Sequence, residues 1–279
     1  MPELPEVETV RATLAPLLIG RRLDRVDILD TRLVRPFEPL AVAAELEGER
    51  IEAVERRGKY LVFRFESGRS LLIHLRMTGS LRHARAGSLG DDPHRRAVVR
   101  LDDGSDVAYR DVRRFGTWLL LEPGELEPYL DRRLGAEPFS RAFTSRRFGE
   151  RLAGRKAPIK AVLLDQRTLA GMGNIYADEA LWRARIHPLR PAGDLAPDEI
   201  KRLHSGVRRA LEAGIARQGA TLRDYSTPDG GRGRMQHEFK VYGRGGEPCD
   251  RCGTPIAKTR VAGRGTWYCP SCQPGPPPP

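Results

Sequence analysis

The sequence predicts an α+β fold, and three observations support this prediction. Short runs that alternate apolar and polar residues fill the chain from about Leu23 to Glu122, a pattern typical of a β-sandwich or barrel. Stretches with helical spacing follow between residues 159 and 218. Two Cys-x-x-Cys pairs near the end indicate a small metal-bound hairpin.

A helix is the first predicted element, from Pro5 to about Leu18. Proline suits the first helical turn, and Glu6 and Glu8 lie near the positive end of the helix dipole. Four apolar residues are spaced so that they share one face of this helix: Val7, Val10, Leu14 and Leu17.

Two hairpins are predicted within the strand-rich region. The runs YLVFRF and SLLIHL flank a turn at residues 66–68, and VVRL and VAYR flank a turn at residues 102–104. The stretch HARAGSLGDDPHRR, residues 83–96, is predicted as a long polar loop between the two hairpins.

The second half of the chain is predicted to be helical. Residues 136–145, AEPFSRAFTS, have the composition of a linker, and helical spacing follows in IKAVLLDQ, NIYADEALWRA and PDEIKRLHSGVRRALEAGIARQ. A glycine-rich stretch from about Gly219 to Gln236 precedes the cysteines. The closing PGPPPP is predicted to be disordered because it cannot pack.

The charge of the chain indicates a polyanionic partner. The formal net charge of +11 favours nucleic acid. Only 6 of the 48 basic residues are lysine, so a GC-rich genome is an alternative source of part of this charge. No apolar run is long enough to span a membrane and no leader resembles a signal peptide. We therefore expect a cytoplasmic protein, in a bacterium one associated with the nucleoid.

The cysteines are spaced as zinc ligands. Cys249 and Cys252 form one Cys-x-x-Cys pair, and Cys269 and Cys272 form a second pair after sixteen intervening residues. Four thiolates at this spacing can hold one tetrahedral structural zinc per chain, with a hairpin between the pairs. Disulfides are the alternative, and the lack of a secretory signal disfavours them. The hairpin tip carries Arg264 between glycines, where it is well placed to reach a phosphate.

The stretch GMGNIYADEALW predicts a second phosphate site. Gly171 and Gly173 can form a tight turn, and Asn174 can cap the helix that starts there. The N-terminus of a helix offers free N–H groups and the positive end of the dipole, which together bind anions. A plain capped connection between two helices is an equally good interpretation of these residues, since no P-loop lysine follows.

The first three residues, Met1-Pro2-Glu3, are unusual at a chain terminus. Removal of Met1 would leave the secondary amine of Pro2, which can attack an aldehyde-level carbon and form an iminium ion. The helix that follows would favour the neutral amine, and Glu3 could donate and accept protons. A capping device with an unused terminus is the alternative, and the residue types alone favour it.

Eight stretches resemble motifs of the formamidopyrimidine-DNA glycosylase family, in order from residue 1 to about 273: MPELPEVETV, RRGKYL, HLRMTGSL, RRFGTW, GMGNIYADEALW, VYGRGGEPC, RCGTPI and YCPSCQ. The resemblance implies an N-terminal β-sandwich flanked by helices. It also implies a helical C-terminal domain with a helix–two-turn–helix motif and a zinc finger. The implied function is DNA repair, by excision of oxidised purines such as 8-oxoguanine and formamidopyrimidines and nicking of the abasic site by β,δ-elimination.

The resemblance also implies roles for single residues. Pro2 would be the nucleophile at the sugar C1′, forming a Schiff base, and Glu3 the acid that assists ring opening. Lys59, in RRGKYL, would act as a general acid and base during β-elimination, although an ordinary solvated strand lysine is the alternative. Arg264 would hold phosphates and assist δ-elimination. Further residues match positions that contact the DNA backbone: His94, Arg113, Lys156, Asn174 and Tyr242.

Met77, Arg113 and Phe115 match three residues that the family inserts into DNA. An enzyme that flips a base out of the duplex must fill the void and satisfy the orphaned partner base. Without the resemblance, Met77 and Phe115 would be interpreted as core residues. The chain departs from the family pattern at Val112, where proline is usual, and at Arg76, where glycine is usual.

From these patterns and the resemblance we divide the chain into five segments. They are a catalytic β-sandwich domain at 1–135, a linker at 136–145, a DNA-binding helical domain at 146–238, a zinc finger at 239–273 and a disordered tail at 274–279. The glycine-rich stretch is expected to close over the flipped base as a mobile loop, and a floppy linker is the alternative. We expect a monomer whose partner is duplex DNA with a damaged base.

Two other functions stay open as alternatives. An endonuclease VIII-type glycosylase would remove oxidised pyrimidines, but that family typically has glycine where this chain has Leu4, and it lacks the three insertion residues. A non-catalytic zinc-ribbon protein would bind DNA without needing a nucleophile, which leaves Pro2, Glu3 and Lys59 unexplained.

Overall fold

The computed structural model describes residues 1–275, so the last four residues of the predicted tail lie outside the described residues. The chain divides into two compact units. The first joins Met1–Arg132 to Arg217–Arg234, and the second joins Arg133–Ala216 to the chain from Met235 onward. Most of the glycine-rich stretch therefore belongs to the first unit. The five segment bounds given above stay a prediction.

The first unit is built on two four-stranded antiparallel sheets. Its strands are β1 (Leu23–Ile28), β2 (Ile51–Arg57), β3 (Tyr60–Phe65), β4 (Ser70–His74), β5 (Gly79–Arg85), β6 (Arg95–Leu101), β7 (Ser105–Asp111) and β8 (Thr117–Leu121). One sheet has the order β1-β6-β7-β5 and the other the order β2-β3-β4-β8. Apolar residues from both sheets form one buried core, which confirms the predicted β-sandwich.

Both predicted hairpins form, β3 with β4 and β6 with β7. The loop between them is shorter than predicted, because β5 continues to Arg85 and β6 already starts at Arg95. The prediction of a loop over residues 83–96 is therefore wrong at both ends. The last four residues of β5, residues 82–85, are exposed or half-buried without alternation, so the sequence carries no strand pattern there.

Helix α1 (Leu4–Leu18) packs one face into the same core. Val7, Val10 and Leu14 are buried as predicted, but Leu17 is 41% exposed and Leu18, at 1%, takes its place. A helix turns about 100° per residue, so Leu18 lies only about 20° from the direction of Val7, whereas Leu17 lies about 80° away. Two shorter helices complete this unit: α2 (Pro39–Leu46) and α3 (Leu126–Asp131).

The second unit is helical and ends in a hairpin, as predicted. Its elements are α4 (Ser145–Leu152), α5 (Ile159–Leu164), α6 (Asn174–Ala184), α7 (Pro197–Ala216), β9 (Ala257–Val261) and β10 (Arg264–Tyr268). A connection with turns at residues 165–173 leads from α5 to α6. Helices α6 and α7 approach closely at Gly206, where an added Cβ would lie 2.7 Å from the carbonyl oxygen of Ala180.

Helix α7 has 20 residues and buries one face of the helix. The buried residues are Leu203, Gly206, Val207, Ala210, Leu211 and Gly214. Neither α7 nor any other helix within residues 1–275 combines the length and the apolar composition that crossing a membrane requires.

Candidate functional site

The first residues of the chain are tied into the first unit. Pro2 is buried, and Glu3, which is 3% exposed, immediately precedes α1. Oε2 of Glu6 accepts a hydrogen bond from the backbone N–H of Glu3 at 2.8 Å, which is one half of a capping box. The capping device is therefore present, and it holds the backbone beside Pro2 in place.

Glu6 also holds the beginning of the glycine-rich segment. Its other oxygen, Oε1, accepts a hydrogen bond from the N–H of Ala220 at 2.8 Å. Gly219 has a φ of +77°, and a Cβ at this position would lie 2.7 Å from Cγ of Glu6, so the contact requires glycine. One carboxylate thus links Glu3 to this segment. Sequence reasoning treated Glu6 only as a residue near the helix dipole and missed the link.

Hydrogen bonds organise the segment at residues 217–234. The Tyr225 hydroxyl donates to the carbonyl oxygen of Gln218 at 3.1 Å, and burial raises the pKa of this tyrosine. The Thr221 hydroxyl donates to the carbonyl oxygen of Tyr225 at 3.0 Å and accepts from the N–H of Gly233 at 2.9 Å. The base of the segment is therefore packed, which does not fit a floppy linker, while residues 222–224 and 229–232 are exposed.

Lys59 lies in the turn between β2 and β3, where it is 6% exposed. Most lysines keep their ammonium group in water, so an ordinary solvated strand lysine does not describe this residue. Burial, together with the charges of Arg76 and Lys59, lowers the pKa of His74 to about 3. His74 is therefore neutral at physiological pH, and the cationic group of Lys59 is near it.

Arg76 shows why the family pattern favours glycine before Met77. Its φ is +52°, in the left-handed region that glycine occupies without strain. Its N–H donates to Nδ1 of His74 at 2.9 Å, a bond that needs the neutral imidazole. The resulting turn between β4 and β5 holds Met77 in a half-buried position.

Arg113 and Phe115 lie together in the loop between β7 and β8. The guanidinium carbon of Arg113 is 4.7 Å from the centre of the Phe115 ring. Phe115 is 51% exposed, so its interpretation as a core residue is wrong. The N–H of Arg113 donates to the hydroxyl of Thr78 at 3.0 Å, which joins this loop to the one that carries Met77.

His94 is the last residue before β6 and is half-buried. The Asp92 carboxylate accepts a hydrogen bond from its N–H at 2.9 Å, and its Nδ1 is 3.4 Å from Nη2 of Arg96. The carbonyl oxygen of His94 accepts from the N–H of Asp111 at 3.0 Å. This bond places His94 beside the end of β7, which leads to Arg113.

The four cysteines converge in the second unit. Their sulfur atoms all lie within 4.8 Å of one another, and the separations of three pairs are 3.5, 3.5 and 4.0 Å. A tetrahedral zinc with Zn–S bonds of about 2.3 Å separates its sulfurs by about 3.8 Å. A disulfide would require about 2.05 Å, and all four thiols are free, so the disulfide alternative is wrong. The donor set fits one structural zinc.

A buried polar network anchors the hairpin tip on the helices. Nζ of Lys160 is 2.8 Å from Oδ1 of Asp178, and both side chains are completely buried. The same ammonium donates to the carbonyl oxygen of Gly265 at 3.0 Å and to the hydroxyl of Thr266 at 2.7 Å. Burial raises the pKa of Asp178, and the Lys160 charge opposes this shift. Arg264, which is exposed, directly precedes the anchored Gly265.

Asn174 does not cap α6, so that prediction is wrong. Gly173 occupies the capping position with an extended backbone, and Asn174 is the first helical residue. A residue inside the helix is not in the position of a cap, whose side-chain oxygen accepts from the N–H groups that follow it. The Nδ2 group of Asn174 instead donates to the carbonyl oxygen of Gly265 at 3.0 Å, which links the start of α6 to the hairpin tip. The predicted glycine turn is present, since Gly171 has a φ of +83°.

Lys156 and Tyr242 lie at two other places in the second unit. Lys156 is exposed in the connection between α4 and α5. Tyr242 is positioned by Glu179, whose Oε1 accepts from three successive backbone N–H groups ending at Tyr242, at 2.8–3.2 Å. The ring of Tyr242 packs against Trp267 with 4.7 Å between their centres.

The predicted residues therefore fall into two groups. The first unit holds Pro2, Glu3, Lys59, Met77, His94, Arg113 and Phe115, and the second holds Lys156, Asn174, Tyr242, Arg264 and the four cysteines. Sequence reasoning missed Lys160, although it shares the signal that drew attention to Lys59. That signal is the rarity of lysine in an arginine-rich chain. It also missed Thr78 and Asp111, which lie within quoted stretches or directly beside them.

Three family models match the chain in succession. The first describes the formamidopyrimidine-DNA glycosylase N-terminal domain and matches residues 1–118. The second describes the formamidopyrimidine-DNA glycosylase H2TH domain and matches residues 134–226. The third describes a zinc finger found in FPG and IleRS and matches residues 246–275, which include all four cysteines.

Known proteins are similar over almost the whole chain. A formamidopyrimidine-DNA glycosylase of Symbiobacterium thermophilum is 50% identical over 277 residues, which are 99% of this chain and 90% of that protein. A solved complex of a Lactococcus lactis FPG mutant with DNA containing Fapy-dG has a TM-score of 0.92 at 38% identity. A complex of MutM with DNA containing carbocyclic 8-oxo-G has a TM-score of 0.90 at 39% identity. Both structural matches cover 98% of this chain and 100% of the other.

Proposed function

The chain belongs to the formamidopyrimidine-DNA glycosylase family, and on this premise we propose how its residues remove a damaged base. The protein is a DNA repair enzyme that excises oxidised purines, such as 8-oxoguanine and formamidopyrimidines, from duplex DNA and cleaves the resulting abasic site as a lyase. It contains one structural zinc. This function is favoured over excision of oxidised pyrimidines and over non-catalytic DNA binding.

The buried start of the chain is the observation that supports our catalytic proposal most directly. Chain termini are usually mobile unless something holds them. Here Pro2 is buried, and Glu6 accepts hydrogen bonds from both Glu3 and Ala220 at 2.8 Å. The same carboxylate therefore holds the residue next to the proposed nucleophile and the segment that we propose to close over the flipped base.

The first proposed step is attack by the amine of Pro2. Removal of Met1, which is 44% exposed, frees this secondary amine. Its nitrogen forms a bond to C1′ while the bond from C1′ to the base breaks, and the base leaves with that electron pair. The proton released by the amine passes to the departing base. Glu3 then protonates O4′ as the sugar ring opens, and the nitrogen lone pair completes an iminium ion.

The iminium ion makes the two eliminations possible. It accepts the electron pair left when a proton is lost from C2′, and the 3′ phosphate is expelled. A second elimination expels the 5′ phosphate. We assign the proton transfers of β-elimination to Lys59, whose amine can accept and return a proton, and the holding of phosphates to Arg264. A positive side chain beside the leaving phosphate stabilises the charge that develops there.

The remaining predicted residues bind the DNA. Backbone phosphates attract cationic side chains and helix N-termini without regard to sequence. We assign this role to His94, Lys156, Asn174 and Tyr242, and we assign entry into the duplex to Met77, Arg113 and Phe115. We further propose that the enzyme acts as a monomer in the bacterial cytoplasm, associated with the nucleoid.

Borohydride trapping tests the role of Pro2. Borohydride reduces an iminium ion to a stable amine, so the wild-type enzyme should become covalently joined to duplex DNA that contains 8-oxoguanine. A short N-terminal tag should abolish this adduct, because it converts the amine into an amide, and should leave binding to undamaged DNA largely intact. The same tag at the C-terminus is the matched control. A protein tagged at the N-terminus that cross-links at the native rate would rule out the amine as nucleophile.

The role of Glu3 is separable from that of Pro2 by the choice of substrate. Glu3→Gln removes the proposed acid but keeps the volume of the side chain. Base excision should fall by about 10²–10⁴-fold, the usual contribution of general acid catalysis. Trapping on a pre-formed abasic aldehyde, whose ring is already open part of the time, should fall much less. Equal losses on both substrates would show that Glu3 only supports the helix start.

A further inference from the structure

Two loops carry the proposed insertion residues, and the topology of the sheets places these loops side by side. The loop at 75–78, with Met77, leads from β4 to β5, and the loop at 112–116, with Arg113 and Phe115, leads from β7 to β8. Strand β4 pairs with β8 in one sheet, and β5 pairs with β7 in the other. Both loops therefore cross between the same two sheets next to each other.

Buried polar side chains connect the two loops. Asp111, which is 1% exposed, accepts hydrogen bonds from the N–H of Gly116 at 2.7 Å and from the N–H of Arg113 at 3.2 Å. The hydroxyl of Thr78, a residue 6% exposed, accepts from the same N–H of Arg113 at 3.0 Å and donates to Oδ1 of Asp111. This direction follows because a backbone N–H only donates and a carboxylate only accepts.

The backbone of Asp111 extends the connection to a third element. Its N–H donates to the carbonyl oxygen of His94 at 3.0 Å, and its carbonyl oxygen accepts from Nε of Arg96 at 3.0 Å. One residue thus fixes the positions of both insertion loops relative to the segment of His94, for which we propose a contact to phosphate. We call the Asp111 carboxylate and the Thr78 hydroxyl the loop clamp.

The loops need such a clamp because apolar packing does not hold their tips. Phe115 is half exposed, and Met77 is only half-buried. Two residues beside the tips, Arg76 and Arg114, take φ values of +52° and +59°. A side chain other than glycine keeps this conformation only where its surroundings enforce it. The clamp supplies hydrogen bonds between the two loops. Because the groups that form them are buried, water cannot easily replace these bonds.

We propose that Asp111 and Thr78 are positioning residues that hold Met77, Arg113 and Phe115 in register for entry into the duplex. This proposal rests on the insertion role assigned above. Misplacement of a contacting group by about 1 Å can slow an enzymatic step by about 100-fold. Loss of the clamp should therefore slow removal of a stacked base, which requires insertion, more than cleavage at an abasic site, where no base has to be unstacked.

The test compares Thr78→Val with Thr78→Ser. Valine has nearly the shape of threonine but lacks the hydroxyl, whereas serine retains it. Single-turnover excision of 8-oxoguanine from duplex DNA should slow by about 10- to 100-fold in Thr78→Val and by no more than about threefold in Thr78→Ser. Nicking of a pre-formed abasic site in the same duplex should slow no more than about threefold in either variant. Thr78→Val should also discriminate less between cytosine and adenine opposite the lesion, because Arg113 is misplaced.

Three results would overturn the proposal: equal excision rates for Thr78→Val and the wild type, equal losses on both substrates, or equal losses in the valine and serine variants. If Thr78→Val does not fold, Asp111→Asn repeats the test. Asparagine keeps the volume of the side chain but replaces one acceptor oxygen with an NH₂ donor, so one of the loop N–H groups loses its acceptor. The wild-type rate on 8-oxoguanine tests the proposed function itself. Failure of that function is thus distinguishable from failure of the clamp.

Discussion

Replacement of Lys160 by Met should destabilise the second unit strongly and in a pH-dependent manner. The variant keeps most of the side-chain length but removes the charge that lies 2.8 Å from the Asp178 carboxylate, inside a network with no exposed surface. The substitution also removes the ammonium group that donates hydrogen bonds to the carbonyl oxygen of Gly265 and to the hydroxyl of Thr266. Breaking a buried ion pair by removing one partner costs about 3–5 kcal/mol, and we expect a loss of unfolding free energy in this range at pH 8.

The pH dependence follows from the remaining carboxyl group. Burial already raises the pKa of Asp178 in the wild type, and removal of Lys160 raises it further. The folded variant then binds a proton more tightly than the unfolded chain, whose aspartate has a pKa of about 3.9. Below the wild-type pKa of Asp178, about 7, the carboxyl group is protonated in both folded proteins, so the deficit should be smallest there. Above that pKa the deficit should grow by up to about 1.4 kcal/mol per pH unit, until the pH exceeds the higher pKa of Asp178 in the folded variant.

Urea denaturation of the zinc-bound protein at pH 5 and pH 8 measures this deficit. Trp182 and Trp267 report on the second unit through their fluorescence. The double variant Lys160→Met with Asp178→Asn is the matched control, because it removes both charges and keeps an acceptor for the N–H of Trp267, now 3.1 Å from Oδ2. The double variant should be more stable than the single one at pH 8, with little difference between the two pH values.

Two outcomes would refute this reasoning. A deficit for Lys160→Met that is the same at pH 5 and pH 8 would show that the charge of Asp178 does not cause it. A double variant no more stable than the single one would show that lost packing, and not an unpaired charge, destabilises the unit. The functional consequence is a separate measurement: affinity for abasic DNA should fall with stability, since Gly265 anchors the hairpin tip beside Arg264.

Two further predictions concern the metal and the insertion loop. Metal analysis should find one zinc per chain. Cys249→Ser should weaken DNA binding because the hairpin tip with Arg264 loses its anchor, whereas the β-sheet signal in circular dichroism should persist. Zinc-free protein that binds DNA at native affinity would contradict this prediction. Phe115→Ala should slow excision from duplex DNA more than nicking of a pre-formed abasic site, and Arg113→Ala should relax discrimination of the opposite base. Phe37→Ala is the control, since Phe37 is 50% exposed like Phe115, at 51%; equal effects of the two phenylalanine variants would contradict the insertion role.

The sequence was sufficient for features whose signals are local. The spacing of the four cysteines predicted the zinc site, because two residues between ligands set the bite of each Cys-x-x-Cys pair. Alternation with turn residues predicted both hairpins of the first unit, since side chains of a strand alternate between its faces. The helical spacing of apolar residues predicted α1, but it wrongly put Leu17 on the buried face. Leu18 lies closer to the direction of Val7 around the helix axis and is the residue that is buried. Motif resemblance, covering almost the whole chain, gave the family.

Tertiary structure alone decided how the polar residues of the site are connected. The N–H of Ala220 bonds to Glu6 across 214 residues, the ammonium of Lys160 reaches Gly265 across 105, and the hydroxyl of Thr78 reaches Asp111 across 33. No periodicity relates such positions, so a pattern search treats each of these residues as one more solvated polar group. These bonds matter for stability because their polar groups are buried, and a polar group removed from water must find its partner inside the protein. Asn174 belongs to the same class: its sequence context predicted a local cap, whereas its Nδ2 group donates to the carbonyl oxygen of Gly265, 91 residues away.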